Sequence, residues 1–359
     1  MHQPSTVAYR WERIDSSEVD SWNETLLKTS APYYQYPFWN EPYRLVKLSP
    51  IYLACEHESA RCAYLCILSL GLPGYRIGLV LNGPVNLNSH GPVETAVLES
   101  LKDWAGRNGF VFLRFAHLDS ELIDRVLSLP SAKRENAFPF FGGVNQHALL
   151  VELRESEEEM LAGFQTVARY EIRAAGRIGY EISVSDRAED FAEAWPVFQA
   201  LAKRKGFSLY RPMAGWMDLM RRASPLKGAR LYTARLGSKI VQAILVVRDA
   251  RIAEYVLGAS NVDAMPGNIS PGCLLHWRAM RESYQLGCKY YDLGPPSGVV
   301  YQFKRKFRPV ARMGPPPVTL VTRPVSYWLW SRMLLRTIVP LWPRVRSVVT
   351  WAVGSCRPR

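Results

Sequence analysis

Twice along this chain, three closely spaced strand patterns lead through one helix pattern into a single further strand. That order narrows the available folds more than any other feature. The first set reads IYLACEHE, RCAYLCILSL and RIGLVLNGP between residues 51 and 84, followed by a helix over about 91–108 and the strand VFLRF. The second reads ARLYTARL, KIVQAILVVRD and RIAEYVLGAS between 229 and 260, then a helix over 273–286 and a strand at Lys289–Leu293. The connections inside each trio are a few residues long, too short for a parallel crossover, so each trio is an antiparallel meander. In the first helix Val93, Val97, Leu101 and Trp104 recur at helical spacing and Gly109 is the stop. No sequence repeat relates the two sets; they echo each other in order alone.

A chain of 359 residues exceeds one ordinary domain, and an apolar fraction of 48% is ample for packed cores. The expectation is an α/β chain of the α+β kind, with a first domain over 1–146, a second over 147–323 and a basic tail over 324–359. The second domain opens with the strand HALLVEL, and Ser156 with Glu159 reads as a capping box. One helix is expected from there to Gly179, with Leu161, Phe164, Ala168, Ile172 and Ala175 on one face. Arg169, Arg173 and Arg177 form a stripe on it, either a solvated face complementing the helix dipole or a wall facing phosphate. A further helix spans Ala188–Lys205. Tyr33, Tyr34, Tyr36, Phe38, Trp39 and Tyr43 form an aromatic cluster, read as core packing or as the wall of a cleft.

Charge is distributed unevenly. The formal net charge is +13, yet no Asp or Glu follows Asp292, and the last 67 residues hold twelve Lys and Arg. The preceding 292 residues carry 33 basic and 32 acidic groups. A cationic excess confined to one region points to an anionic partner, nucleic acid or membrane surface. The tail carries Trp328, Trp330, Trp342 and Trp351 among its arginines, with no run long enough to span a bilayer. It reads either as an interfacial anchor on an anionic inner leaflet or as a helix packed back on its domain. The N-terminus has no apolar leader core, and the six cysteines form no CxxC pair, so a reducing cytoplasm is expected.

The stretch Tyr290–Pro309, YYDLGPPSGVVYQFKRKFRP, concentrates the chemistry. It starts as an aromatic strand, breaks at Gly-Pro-Pro, and resumes with aromatic and cationic residues interleaved: Tyr301, Phe303, Lys304, Arg305, Lys306, Phe307 and Arg308. This is a pattern for an anion site, or in plainer terms a basic surface strand. No Ser-His-Asp, HExxH or Walker pattern, no metal-ligand spacing and no Gly-rich pyrophosphate loop competes with it. Pro266–Gly272 reads as a turn, or as an anion cradle at a helix N-terminus.

The order of elements, with ARYEIRAAGRIG, KRKGF, YVLGAS, the YDLG strand and the YQFKRKF segment, resembles the Fem-type (FemABX) peptidyltransferases and the wider GNAT-like acyltransferases. The resemblance covers about 147–310, and the closing segment is its most specific part. It implies two GNAT-like (acyl-CoA N-acyltransferase-like) domains around a shared cleft. It also implies transfer from the ester of an aminoacyl-tRNA to an amine on a cell-wall precursor. The family's Phe-Lys pair falls on Phe303 and Lys304, as catalytic residues. Substrate contacts fall on Tyr255, Arg204, Arg211, Tyr301, Asp292 and Arg173, and donor-anion contacts on Arg305, Lys306 and Arg308.

Aminolysis of an ester or thioester needs substrates held in line and a donor for the developing oxyanion, with no covalent enzyme intermediate and no bound cofactor. Lys304 beside Phe303 fits that donor, or neutralises the terminal phosphates of tRNA. Three readings stand: an aminoacyltransferase drawing on aminoacyl-tRNA, an acyltransferase drawing on acyl-CoA or acyl carrier protein, and a non-catalytic RNA- or membrane-binding adaptor.

Overall fold

The computed structural model describes residues 8–134 and 147–332, apart from 73, 90, 117–118, 267–268 and 297–299. The tail beyond Arg332, with Trp342, Trp351 and the arginines from 336 on, lies outside the described residues, as do Gly267 and Asn268. The chain divides into two compact units, one running to residue 146 and resuming at Gly314, the other spanning His147–Met313.

In the first unit the strands are β1 (Arg10–Arg13), β2 (Ser49–His57), β3 (Ala60–Leu72), β4 (Tyr75–Leu81), β5 (Val85–Asn86), β6 (Phe110–Ala116) and β7 (Ala132–Arg134). Its helices are α1 (Trp22–Lys28), α2 (Pro37–Asn40), α3 (Thr95–Arg107) and α4 (Ser120–Leu127). The meander β2-β3-β4 is antiparallel, and β6 then pairs parallel to β4 after the crossover through α3. Every residue of β6 is buried, which is what a strand covered on both faces requires. Gly109 makes the turn into it with φ +82, where a Cβ would stand 2.7 Å from Gly74 Cα. The aromatic cluster forms short helical turns broken at Pro37 and Pro42. Tyr33, Tyr36, Phe38, Trp39 and Tyr43 are all buried there, as core.

The second unit holds β8 (His147–Glu152), α5 (Glu157–Gly163), α6 (Thr166–Ile178), β9 (Glu181–Ser185), α7 (Ala188–Lys205) and α8 (Met213–Ala223). It continues with β10 (Ala229–Leu236), β11 (Lys239–Arg248), β12 (Ile252–Ser260), α9 (Gly272–Gln285), β13 (Tyr290–Asp292), α10 (Val300–Arg305) and β14 (Val310–Met313). The sheet order is β14-β8-β13-β12-β11-β10-β9, and only β12 and β13 run parallel. The same device therefore appears twice: an antiparallel meander, a crossover helix, and a strand parallel to the meander's last member.

Three sequence expectations need correction. The second domain does not extend to residue 323. After Met313 the chain returns to the first unit as β15 (Val318–Val321), between β6 and β7, and as α11 (Pro324–Leu329). Four fully buried residues fit either sheet by pattern alone, and only pairing chooses. The single helix expected before Gly179 is two, because Phe164 and Gln165 turn extended to bury Phe164 against Phe307 at 5.2 Å. The closing cationic segment is not a basic strand: it is the helix α10 as far as Arg305, with Lys306 and Phe307 in the turn that follows.

Candidate active site

The parallel pair β12–β13 lasts three residues: Ile252 opposite Tyr290, Ala253 opposite Tyr291 and Glu254 opposite Asp292. Beyond it β12 runs on to Ser260 while the other chain turns away through Leu293, Gly294 and Pro295. The cause is local. The register of β11 against β12 steps from Leu245–Leu257 to Val246–Tyr255, leaving Val256 as the extra residue of a bulge. A bulge bends its strand and increases the twist, and here it follows directly on the last paired residues. The split thus opens at the carboxyl ends of two parallel strands, the usual place for a ligand in such sheets.

Lys304 reaches into this split. Its side chain comes from α10, it is only 6% exposed, and Nζ donates to the Pro295 carbonyl at 3.0 Å. Gly294, with φ +75, lies between the strands: a Cβ there would stand 3.5 Å from Lys304 Nζ and 4.0 Å from the Tyr255 carbonyl. Asp292 holds the turn. Its Oδ1 accepts from Gly294 N at 2.7 Å and Leu149 N at 3.2 Å. Burial pushes its carboxyl up to about 6, while the two backbone amides and the Lys304 charge pull the other way. Asp292 therefore fixes the backbone turn beside Lys304.

Behind the lysine stands a residue the sequence reading left unassigned. His276 of α9 is buried, with Nδ1 3.0 Å from the Tyr291 hydroxyl. Its ring packs edge-on to Tyr255 at 4.7 Å and tilted to Phe303 and Phe307 at 5.4 and 5.6 Å. Burial, then the Lys304 charge, depress its pKa to about 3, so it is neutral across the physiological range. Tyr255 folds back over Gly258, where any Cβ would collide with its ring, and burial raises its phenol to about 12. Phe303 is half-buried and abuts the start of α9, its ring 3.3 Å from where a Gly272 Cβ would stand. The arrangement is a cation on a rigid aromatic floor at an opened strand pair, able to stabilise negative charge developing in the split.

Residues 162–305 match the family model described as acetyltransferase (GNAT) domain. The second unit therefore carries a GNAT-like domain. Among solved structures it is similar in fold to FemX, with a TM-score of 0.73 at 13% identity, covering 89% of this chain and 99% of that one. It is also similar to L-PGS from Bacillus licheniformis, with a TM-score of 0.57 at 14% identity, covering 96% and 99%. A tandem GNAT protein from the clavulanic acid biosynthesis pathway has a TM-score of 0.50 at 10% identity, covering 88% and 98%. No curated protein sequence matches. The two units accordingly form a tandem GNAT-like fold.

Within the GNAT-like second unit the remaining candidates separate. Tyr301 lies on α10 with the Arg305 guanidinium 5.9 Å above its ring. Arg305 and Arg308 are exposed, whereas Lys306 is engaged by Glu171 at 2.5 Å, which also accepts from Cys273 Sγ at 3.0 Å. Arg204 is exposed near the Ser260 carbonyl at the far end of β12. Arg173 is exposed on α6. Arg211 is wholly buried, stacked on Trp216 and Tyr210 at 5.1 and 5.5 Å, so a substrate does not reach it in this arrangement. The signal for His276 was faint, a lone histidine in the apolar helix LLHWRAM. The gathering around it depends on strands far apart in sequence.

Proposed function

We propose that the protein is a Fem-type acyltransferase that forms an amide on an amine of a cell-envelope precursor, with aminoacyl-tRNA as donor substrate and no bound cofactor. The observation that carries this reading is the buried Lys304 ammonium beside Phe303 at the β12–β13 split; the fold likeness to FemX and the family resemblance of the closing segment support it. The acceptor amine attacks the donor's ester carbonyl. A C–N bond forms, the C–O bond to the terminal ribose breaks, and the amine's proton leaves with the ribose oxygen. Lys304 stabilises the oxyanion between these steps, an interaction stronger in a site that excludes water. Tyr255 and Phe303 shape the acceptor's path, with Arg204 at its outer end. Arg305 and Arg308 are placed for donor phosphates, with Tyr301 as stacking surface. An acceptor carried on a lipid would put the work at the cytoplasmic face of the membrane.

A second reading follows from the matched family itself, whose description is acetyltransferase: transfer from acyl-CoA or acyl carrier protein. A donor screen separates the two. Labelled aminoacyl-tRNAs and acyl-CoAs are offered with envelope precursors, with and without ribonuclease. Ribonuclease-sensitive amide formation supports the first reading; transfer from acyl-CoA alone overturns it.

A further inference from the structure

Helix α11 has two apolar faces, and the first unit uses one of them. Tyr327 and Trp330, each 5% exposed, pack edge-on against Phe112 of β6 at 5.7 and 5.1 Å. Val325, Trp328 and Leu329 are 74%, 55% and 42% exposed. Residues 325, 328 and 329 stand at i, i+3 and i+4, one stripe on the side of the helix opposite 327 and 330. Exposed Tyr75 lies alongside, donating its hydroxyl to the Ser326 carbonyl at 3.3 Å.

One described cation lies on the stripe: the Arg332 guanidinium is 5.8 Å over the Trp328 ring. Lys133 Nζ lies 5.3 Å over the ring of Tyr327, on the packed side of the helix. Arg323 is locked at the base of the helix, donating to the Gly106 and Gly74 carbonyls at 2.7–3.0 Å. No acidic residue occurs from 293 to the end of the chain, and five more arginines follow Arg332.

We infer that the outer face of α11 is a contact for an anionic lipid surface: Val325, Trp328 and Leu329 enter the boundary between headgroups and acyl chains, and Arg332 meets the phosphates. Two features favour lipid over a protein partner. Three side chains on a six-residue helix fall far short of the roughly 800 Å² per partner of a stable protein interface. A membrane surface instead asks only for shallow apolar insertion with cations at headgroup level, where Trp rings and Arg side chains are at home. The two readings of the tail are thereby compatible, since α11 packs on the domain through one face and offers the other. The contact lies in the first unit and is independent of the transfer chemistry.

The test uses the full chain and sedimentation with vesicles of phosphatidylglycerol and phosphatidylcholine, or of phosphatidylcholine alone. Binding is expected on the anionic vesicles and to weaken with salt. The triple variant Val325→Ser, Trp328→Ala, Leu329→Ser is expected to bind at least about tenfold more weakly. Trp328→Phe in the intact chain is expected to retain binding, which controls for folding. Wild-type-like binding by the triple variant overturns the contact, as does equal wild-type binding to both vesicle types. Self-association of the wild type that the triple variant loses, without vesicle binding, assigns the face to a second copy and overturns it as well.

Discussion

The two units are built on one plan and differ at the parallel strand pair. In the first, β4 and β6 stay paired from Arg76–Phe110 to Leu81–Ala116. In the second, β12 and β13 separate after three residues, and a lysine occupies the opening. The first unit has its own discontinuity, between β3 and β4, and closes it with protein. The wholly buried Gln35 donates to the Leu81 carbonyl at 2.5 Å and accepts from Cys66 N at 2.7 Å, bridging the two strands. A neutral amide that satisfies both edges makes a core; an ammonium on a split makes a site. The contrast teaches that one scaffold can close such a gap with a neutral amide or hold a cation in it, so that function has to be argued from the side chains and not from the fold.

The comparison breaks most readily at Lys304. Lys304→Ala is expected to reduce transfer by about 10²–10³-fold, the loss typical of one oxyanion donor, measured as initial rate with whichever donor the screen selects. Unchanged transfer would leave the split without its proposed role. The counterpart in the first unit is Gln35→Ala, expected to cost about 3 kcal/mol by stranding Cys66 N and Leu81 O without partners. Hydrogen exchange should show faster opening of β3 and β4, with the rate per folded molecule unchanged.

A smaller effect sharpens the second unit's side of the contrast. In Gly258→Ala the new Cβ would stand 2.0 Å from the Tyr255 hydroxyl, so the ring must leave its seat against His276. A fall of about tenfold in kcat/KM is expected, with melting temperature little changed.

A further check is a slope rather than a single value. His276 is neutral in the fold, with its pKa near 3, but takes up a proton near 6.5 when unfolded. Its contribution is therefore present above the unfolded value and is lost as pH falls toward 3, by about 1.4 kcal/mol per pH unit. Asp292, raised to about 6, acts with the opposite sign between its two values, because the unfolded chain loses that proton first. Comparing His276→Phe with wild type cancels the Asp292 term. The variant should lose less stability on acidification, read by chemical denaturation at a series of pH values.

Much of this was legible in the sequence. The two meander–helix–strand sets, the span of α7 and the capping serine at α5 follow from periodicity and turn chemistry, and Ser156 Oγ indeed accepts from Glu159 N at 3.3 Å. Helix α8 could have been read from Trp216, Leu219, Met220 and Ala223, all buried at helical spacing. The aromatic–cationic run was visible as a place where anions would be met. The sequence could not sort its cations, because exposure and pairing depend on neighbours elsewhere in the chain: Lys304 turns inward to Pro295, Lys306 meets Glu171, and Arg305 stays outside.

By itself, then, the sequence determined most of the elements, their order and the stretch that carries the charge, since these depend on interactions within a few turns or residues. The tertiary structure alone decided that VTLV completes the first sheet, that Arg211 is buried, that Asp292 braces a turn, and that Val256 bulges and parts two strands. Each depends on pairing or packing between segments up to some two hundred residues apart. A local pattern can propose such partners, but only the assembled sheet selects among them.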